Sequence, residues 1–263
     1  DEDWQPVTLP GRPKADPEDI AKAVNWLKGA NSPLIMVGGG ACGAGAALSE
    51  IAERTGAIVI ASTAGKGIIP DDHPLSLSAS TVRPEVLHIL SEADVILAVG
   101  TELSETDSFV ERMNFNGRII RIDIDPSKIN DVYPADLGIV ADAQSSIQAL
   151  CAALEEHRSS GVEAAKERAR IIRSEIRQGL GVSERQHVAV LDALAEVAPA
   201  DIIWSGDACQ LVYTGAFAMP VHTSRKWFYP AGYCALGNAL PNAIGARLAR
   251  PETPVAVLVG DGG

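Results

Sequence analysis

Short apolar runs alternate with amphipathic stretches over most of the chain. Residues 255–259 form a continuous apolar run, mostly of β-branched or small residues, which is the pattern of a buried strand in a parallel sheet. Ile20, Val24 and Leu27 instead recur at helical spacing, and Asp16 stands before them as a suitable cap. This alternation predicts an α/β fold with two doubly wound parallel-sheet domains.

The predicted elements form two series. In the first, strands are expected over 33–37, 57–61, 95–99 and 118–124, with helices opening at 16 and 45 and covering 83–90 and 141–154. In the second, helices are expected over 188–197 and 236–248, and strands over 202–204 and 255–259. The stretch between the two series is rich in Arg, Glu and Ala and predicts a solvated connecting helix with apolar spots at Ile171, Ile172 and Ile176.

These series predict four segments along the chain. They are a linker over 1–15, an α/β domain over 16–155, a helical linker over 156–186 and a second α/β domain over 187–263. The strand over 255–259 needs a neighbour and a returning helix. We therefore expect the second domain to be incomplete and the chain to be cut at both ends.

Composition excludes several classes of protein. Hydrophobic residues make up 46% of the 263 positions and charged residues 21%, as in globular proteins. A net charge of −12 argues against a nucleic-acid partner, and no apolar run approaches the roughly 20 residues of a membrane span. The cysteines form neither a CxxC pair nor a metal-ligand spacing, which predicts reduced thiols in a cytoplasmic protein; they are Cys42, Cys151, Cys209 and Cys234.

A GxGxxG pattern follows the first predicted strand. Gly38, Gly40 and Gly43 stand between this strand and a helix, which is the arrangement of a dinucleotide site. Such a site also needs an acid at the end of the next strand, and that strand ends Ile60-Ala61-Ser62-Thr63. The missing acid disfavours NAD and favours glycines that allow a tight, closely packed turn.

Two further features have both a chemical and a structural interpretation. Asp123 and Asp125 share one face of a strand end and could bind a metal, but a polar strand end with a helix cap before Pro126 is favoured. Cys209 could be a nucleophile, but no His lies near it in sequence, so a small buried thiol is favoured.

Glycine-rich segments end two strands of the second series. Gly260-Asp261-Gly262-Gly263 can bring N–H groups and one carboxylate to an anion and a divalent cation. Gly206 precedes a possible helix start, whereas Asp207 would repel an anion if its carboxylate pointed inward. Ahead of the last strand, Leu236, Leu240 and Ile244 at i, i+4 and i+8 predict core packing of an amphipathic helix.

The order of these segments carries a family resemblance. Gly232-Tyr-Cys-Ala-Leu-Gly-Asn-Ala-Leu-Pro-Asn-Ala-Ile-Gly-Ala246, a Val-rich strand and Gly-Asp-Gly-Gly resemble the thiamine diphosphate-dependent enzymes. The match is nearest the branch of acetolactate synthases and related 2-oxo acid decarboxylases. The first half is similar to that family's central, Rossmann-like domain in Pro33-Leu-Ile-Met-Val-Gly-Gly-Gly, Gly65-Lys-Gly-Ile-Ile-Pro and Ile119-Ile-Arg-Ile-Asp-Ile-Asp-Pro.

The resemblance implies a cofactor site. Asp261 would bind the Mg²⁺ that anchors the diphosphate, and the second metal ligand of the family, an Asn, would lie beyond this chain. Leu236 would hold the cofactor in a V shape, and the carbonyl of Cys234, where the family usually has Gly, would accept a bond from the aminopyrimidine. The remaining residues implied to contact the cofactor are Gly206, Asp207, Ala208, Cys209, Ala235, Gly260, Gly262 and Gly263.

The implied activity is decarboxylation of a 2-oxo acid with thiamine diphosphate and Mg²⁺, with or without carboligation. The activating Glu of the family lies on an N-terminal domain of a partner subunit. The resemblance therefore implies a homodimer or homotetramer, no catalytic residue in this chain and no activity for the chain alone. The other class kept open is a non-catalytic nucleotide-binding subunit, which thiamine diphosphate and Mg²⁺ would not stabilise.

Two departures from the family's sequence narrow the activities and cofactors that the resemblance implies. Acetolactate synthases carry Arg-Phe-Asp-Asp-Arg, associated with flavin, where this chain reads Gly100-Thr-Glu-Leu-Ser-Glu-Thr-Asp-Ser-Phe109. Their Gly-Gln-His-Gln loop is replaced by Asp207-Ala-Cys-Gln210. Both departures disfavour FAD and acetolactate synthase itself, and a decarboxylase of 5-guanidino-2-oxopentanoate fits at least as well.

Overall fold

A computed structural model of the chain describes residues 7, 8 and 10–263. Within these residues there are two parallel sheets with helices packed on them, so the predicted α/β fold is confirmed. No helix in the described part of the chain combines the length and the apolar character that crossing a membrane requires.

The first sheet has five parallel strands in the order β2-β1-β3-β4-β5. These strands are β1 (Pro33–Val37), β2 (Ile58–Ala61), β3 (Val95–Val99), β4 (Arg118–Asp123) and β5 (Leu137–Val140). The helices of this half are α1 (Pro17–Gly29), α2 (Gly45–Thr55), α3 (Pro84–Glu92), the short α4 (Glu105–Ser108) and α5 (Ala143–Ala153). In β1 and β3 all five residues are buried. The strand predicted as buried over 255–259 is only half-buried over 255–257, and Val259 is exposed, so that prediction of burial holds for Leu258 alone.

The start of α1 illustrates how local sequence sets an element. The Asp16 side chain accepts a hydrogen bond from Glu18 N at 2.8 Å, which satisfies one of the free N–H groups of the first turn. The predicted stripe of Ile20, Val24 and Leu27 is buried in the core. The helix therefore begins at its cap and packs through its periodic apolar face.

The stretch between the two sheets differs from the single solvated helix that was expected. It contains α6 (Val162–Gln178) and the first turns of α7 (Val182–Val197), separated near Gly179. Ile172 and Ile176 are buried, whereas Ile171 is exposed. The apolar face of α6 therefore packs on the first half of the chain instead of remaining in solvent.

The second sheet has three parallel strands in the order β7-β6-β8. They are β6 (Ile203–Gly206), β7 (Trp227–Phe228) and β8 (Val255–Leu258), with helices α8 (Gln210–Ala218) and α9 (Ala239–Ala249). The sequence did not predict β5, β7 or α8. The two strands are short, with two and four residues, and α8 has no strong apolar stripe, so no long periodic pattern marks them.

The predicted core packing of Leu236, Leu240 and Ile244 is wrong. The helix begins three residues later, at Ala239, and these three side chains are more than half exposed. Ala239 and Ala243 are buried instead, on the side where α9 packs on β6 and β8. Small side chains allow a helix to approach a sheet closely, so the alanine face packs inward and the large apolar face points outward.

Candidate functional site

Three of the predicted site segments meet at the carboxyl-terminal edge of the second sheet. Asp207 N donates to Leu258 O at 2.9 Å, which joins the ends of β6 and β8. A β-carbon at Gly260 would stand 3.0 Å from the Cβ of Cys209, and one at Gly262 would stand 3.5 Å from Leu236 Cδ1. The structure therefore brings together the segments 206–209, 234–236 and 260–263, which are far apart in sequence.

The Asp207 carboxylate holds the start of α9. It is buried, with 1% of the residue exposed, and its Oδ1 accepts hydrogen bonds from Asn238 N at 2.7 Å and Ala239 N at 3.1 Å. Its Oδ2 accepts from Gly237 N at 3.0 Å. The carboxylate thus points inward and takes up the first N–H groups of α9, which are then unavailable to an external anion.

Gly263 lies against the same carboxylate. A β-carbon at this position would stand 2.2 Å from Asp207 Oδ2, so the backbone can come this close only with glycine. Ser205, which the sequence did not single out, adds a further link, because its buried hydroxyl donates to Ala239 O at 2.8 Å. A hydroxyl on a buried strand carries no local sequence signal of such a partner.

The start of α8 is the helix end that remains open to an anion. Cys209 occupies its N-cap position, and no side-chain capping bond forms there among the described residues. The contact between Cys209 and Gly260 places the exposed glycine loop beside this helix end. Free N–H groups of a helix start next to a glycine loop form an arrangement that can bind a phosphate group.

Asp261 is the carboxylate at this edge that is open to solvent. The carboxylate of Asp207 is already occupied by three backbone N–H groups. No group of three or more His, Cys, Asp or Glu side chains suited to a metal occurs in the described residues. One exposed carboxylate beside a glycine loop that can approach a phosphate has the chemistry that suits Mg²⁺, which keeps several waters and takes ligands from the phosphate.

Cys234 has a backbone conformation that favours glycine. Its φ is +49°, in the left-handed region, which glycine adopts more readily than other residues. The hydroxyl of Tyr229 lies 3.3 Å from Cys234 Sγ. Burial, followed by the neighbouring thiol, raises the pKa of Tyr229, so the phenol stays protonated beside the sulfur.

We expect Cys234→Gly to raise the free energy of unfolding by about 0.5–1 kcal/mol. Glycine relieves a left-handed conformation that costs about 1–2 kcal/mol, and part of this gain is lost to greater chain entropy when unfolded. Urea denaturation measures the change. Cys42→Gly is the matched control because Cys42 has φ −52°, so the same replacement should destabilise there. Equal destabilisation by both variants would contradict the prediction.

The GxGxxG segment packs against a neighbouring loop. Gly40 N donates to Gly100 O at 3.0 Å, and a β-carbon at Gly38 would stand 2.2 Å from the same oxygen. These contacts between the ends of β1 and β3 account for the glycines by close packing, which was the favoured interpretation.

A cavity of 440 Å³ lies beside this loop and has an acidic lining. Its carboxylates belong to Glu102, Asp107, Asp123 and Asp125, and they outnumber the one lysine of the lining, Lys128, which pairs with Glu102 at 3.3 Å. Asp125 accepts a hydrogen bond from Ser127 N at 2.9 Å and caps a short 3₁₀ turn, so the cap interpretation of this residue is confirmed. Four carboxylates are an unfavourable environment for the diphosphate of a flavin dinucleotide.

Asp107 is one of the carboxylates of this cavity. Burial raises the pKa of its carboxyl, although a hydrogen bond from Thr63 N at 2.8 Å opposes the shift. Because the folded-state pKa lies above the unfolded-state value, stability falls as pH rises from the unfolded pKa through the folded one. We expect Asp107→Asn to raise the melting temperature at pH 7 and to change it little at pH 3.

Asp125→Asn is the control for this measurement. Hydrogen bonds from Ser127 lower the pKa of Asp125, so its ionised form is favoured in the folded state and the sign is reversed. The neutral variant should therefore not gain stability at pH 7. Melting curves of both variants at pH 3, 5 and 7 test the pair, and a gain for Asp107→Asn that does not depend on pH would contradict the assignment.

Comparisons with known proteins point to one family. The model described as "Thiamine pyrophosphate enzyme, central domain" matches residues 20–150, and "Thiamine pyrophosphate enzyme, C-terminal TPP binding domain" matches residues 207–263. The "Probable 2-ketoarginine decarboxylase AruI" of Pseudomonas aeruginosa is 41% identical over 263 residues, covering 99% of this chain and 47% of that protein.

Relatives with lower identity are named for other activities. An "Acetolactate synthase" of Mycobacterium bovis is 29% identical over 278 residues, covering 98% of this chain and 44% of that protein. The "Pyruvate oxidase" of Lactiplantibacillus plantarum is 29% identical over 275 residues, covering 100% of this chain and 45% of that protein. The chain spans somewhat less than half the length of these curated relatives.

Proposed function

Because the chain belongs to the thiamine pyrophosphate (thiamine diphosphate) enzymes, we propose that it forms part of an enzyme that decarboxylates a 2-oxo acid with thiamine diphosphate and Mg²⁺. The observation that carries the proposal is the meeting of three segments at one sheet edge, with Asp261 exposed and Asp207 engaged in the fold. Bound there, thiamine diphosphate would supply the electron sink for loss of CO₂ from a 2-oxo acid.

The residues of this chain would divide the work of binding. Asp261 would hold Mg²⁺, and the start of α8 together with Gly260, Gly262 and Gly263 would hold the diphosphate. Leu236 offers an exposed apolar side chain next to the glycine loop, suited to support the cofactor rings. The carbonyl of Cys234 would accept the hydrogen bond from the aminopyrimidine. Gly206, Ala208, Cys209 and Ala235 would form the adjoining backbone surface.

We propose 5-guanidino-2-oxopentanoate as the first substrate to test, with acetolactate-type carboligation as the second candidate activity. The relative that is 41% identical is named for 2-ketoarginine, which is the same compound. The loop over 207–210 also departs from the acetolactate synthase sequence. The acidic cavity beside Gly38 and Gly100 supports a protein without FAD.

We also propose at least a homodimer in the cytoplasm. Leu240, Ile244 and Leu248 leave one apolar face of α9 more than half exposed, and such faces mark interaction sites. None of the cysteines, all of which lie within residues 10–263, forms a disulfide, which fits a reducing compartment. The net charge of −12 is unfavourable for binding nucleic acid or anionic membranes.

Thermal unfolding with and without cofactor tests the proposed binding. Thiamine diphosphate with Mg²⁺, at about 100 times its Kd, should stabilise the protein by about 2.7 kcal/mol, and EDTA should remove most of this gain. Thiamine monophosphate with Mg²⁺ is the control, since it lacks the second phosphate group. No stabilisation of the complete protein by the diphosphate would favour the non-catalytic subunit instead.

Release of CO₂ tests the substrate. The complete protein with its cofactor should release CO₂ faster from 5-guanidino-2-oxopentanoate than from pyruvate. Faster turnover of pyruvate, with acetolactate as product, would favour the carboligase.

A further inference from the structure

A fully buried lysine lies at the contact between the two halves of the chain. The side chain of Lys66 has no exposed surface, and its Nζ donates to Asp71 Oδ2 at 2.5 Å and to Ser78 Oγ at 2.6 Å. Lysine is rarely buried this completely unless it is paired. The Gly65-Lys-Gly segment contributed to the family resemblance, but the cofactor site does not use Lys66.

The partners of Lys66 reach across to the second half of the chain. Asp71 Oδ2 also accepts a hydrogen bond from Val221 N at 2.9 Å, and Asp71 N donates to Val221 O at 3.0 Å. Val221 follows closely on the end of α8. The Ser78 hydroxyl donates to Ala216 O, within α8, at 3.5 Å. The carboxyl-terminal end of α8 is therefore tied to residues of the first half.

Ser78 is held in an unfavourable backbone conformation at this contact. Its φ is +56°, in the left-handed region, and it is buried. Such strain persists where the surroundings fix the residue, and here the hydroxyl links Lys66 to α8.

A second contact of Lys66 reaches the second sheet. Its Nζ lies 5.9 Å from the centre of the Trp227 ring, within range of a cation–π interaction. Trp227 is in β7 and pairs with Trp204 in β6, the strand that ends at Gly206. The Trp227 ring also packs on α8, because a β-carbon at Gly215 would stand 2.6 Å from it.

We propose that Lys66 is a positioning residue: its buried pair with Asp71 fixes α8 and the β6–β7 strands, and so the loop over 206–209 that joins them. One flank of the loop is β6, held through Trp227, and the other is α8, held through Val221. Breaking the pair would leave an uncompensated buried charge, so both flanks would loosen together. The consequence for cofactor binding rests on the proposed function, but the mechanical link does not.

Hydrogen exchange in Lys66→Met tests the link without any cofactor. Amide exchange over 203–221 and 227–228 should become at least tenfold faster, whereas peptides covering β1 and β3 should keep their wild-type rates. Lys28→Met, at an exposed lysine near the end of α1, is the matched control and should change neither group. Unchanged rates over 203–221, or an equal increase in both halves, would overturn the proposal.

Asp71→Asn keeps the test decisive if Lys66→Met does not fold. The amide oxygen can still accept from Val221 N, but the charge opposite Lys66 is gone, so the same selective increase is expected. Unchanged or uniform exchange in this variant would also overturn the proposal. The Kd for thiamine diphosphate should be at least tenfold higher for Asp71→Asn than for the wild-type protein. Absence of binding by the wild type would contradict the cofactor assignment alone and leave the exchange result valid.

Discussion

Replacing Asp207 by alanine is expected to lower the free energy of unfolding by about 3 kcal/mol or more and to abolish measurable binding of thiamine diphosphate. The variant leaves the N–H groups of Gly237, Asn238 and Ala239 without their acceptor at the start of α9. Of these three residues Ala239 is the buried one; an unsatisfied buried group costs about 1–3 kcal/mol, and loss of an N-cap acceptor typically costs about 1 kcal/mol more. The site would lose its shape because Asp207 joins the ends of β6 and β8 and holds the start of α9.

Urea denaturation of the protein without cofactor measures this effect. Asp207→Asn is the isosteric comparison, since one amide oxygen can still accept but the NH₂ group faces an N–H donor, and an intermediate loss is expected. Asp201→Ala removes an exposed carboxylate shortly before β6 and should change stability by less than about 0.5 kcal/mol. A loss for Asp207→Ala as small as that of Asp201→Ala would show that the carboxylate does not hold α9.

The second large effect is expected at Asp261, and it concerns cofactor binding without a change in the stability of the cofactor-free protein. Asp261→Ala should leave the stability of the cofactor-free protein within about 0.5 kcal/mol, because the residue is exposed. It should remove the Mg²⁺-dependent stabilisation by thiamine diphosphate, about 2.7 kcal/mol at 100 times Kd. A divalent ion held by one protein carboxylate loses its anchor when that carboxylate is deleted.

Melting curves with thiamine diphosphate over a series of Mg²⁺ concentrations measure the loss. Glu252→Ala removes an exposed carboxylate just before β8 and should keep the full Mg²⁺ response. A retained response in Asp261→Ala would exclude this residue as the metal ligand. The two aspartates are thus distinguished by state: Asp207 acts on the cofactor-free fold, and Asp261 acts only when cofactor and metal are present.

Local sequence predicted an element correctly where the residues of that element alone decide its position. The buried runs of β1 and β3 and the cap and stripe of α1 lie where their patterns place them. The pattern gave a wrong prediction for α9, where either of two helix faces could have packed on the sheet. Leu240 and Ile244 have the spacing of a core stripe, yet Ala239 and Ala243 face the sheet because a close approach leaves no room for larger side chains. The short β7 and the weakly patterned α8 gave too little periodicity to predict.

By itself the sequence determined the alternating α/β architecture, the family and the segments that form the candidate site, because periodicity and the order of motifs are both visible along the chain without knowledge of its folding. The tertiary structure alone distinguished the structural aspartate from the one that is free to bind a metal. Asp207 and Asp261 both stand beside glycine at a strand end, but one carboxylate is buried against three N–H groups and the other is open to solvent. It also paired Lys66 with Asp71 and tied Asp71 to Val221, a contact across 150 positions that long-range packing creates and that no local spacing can encode.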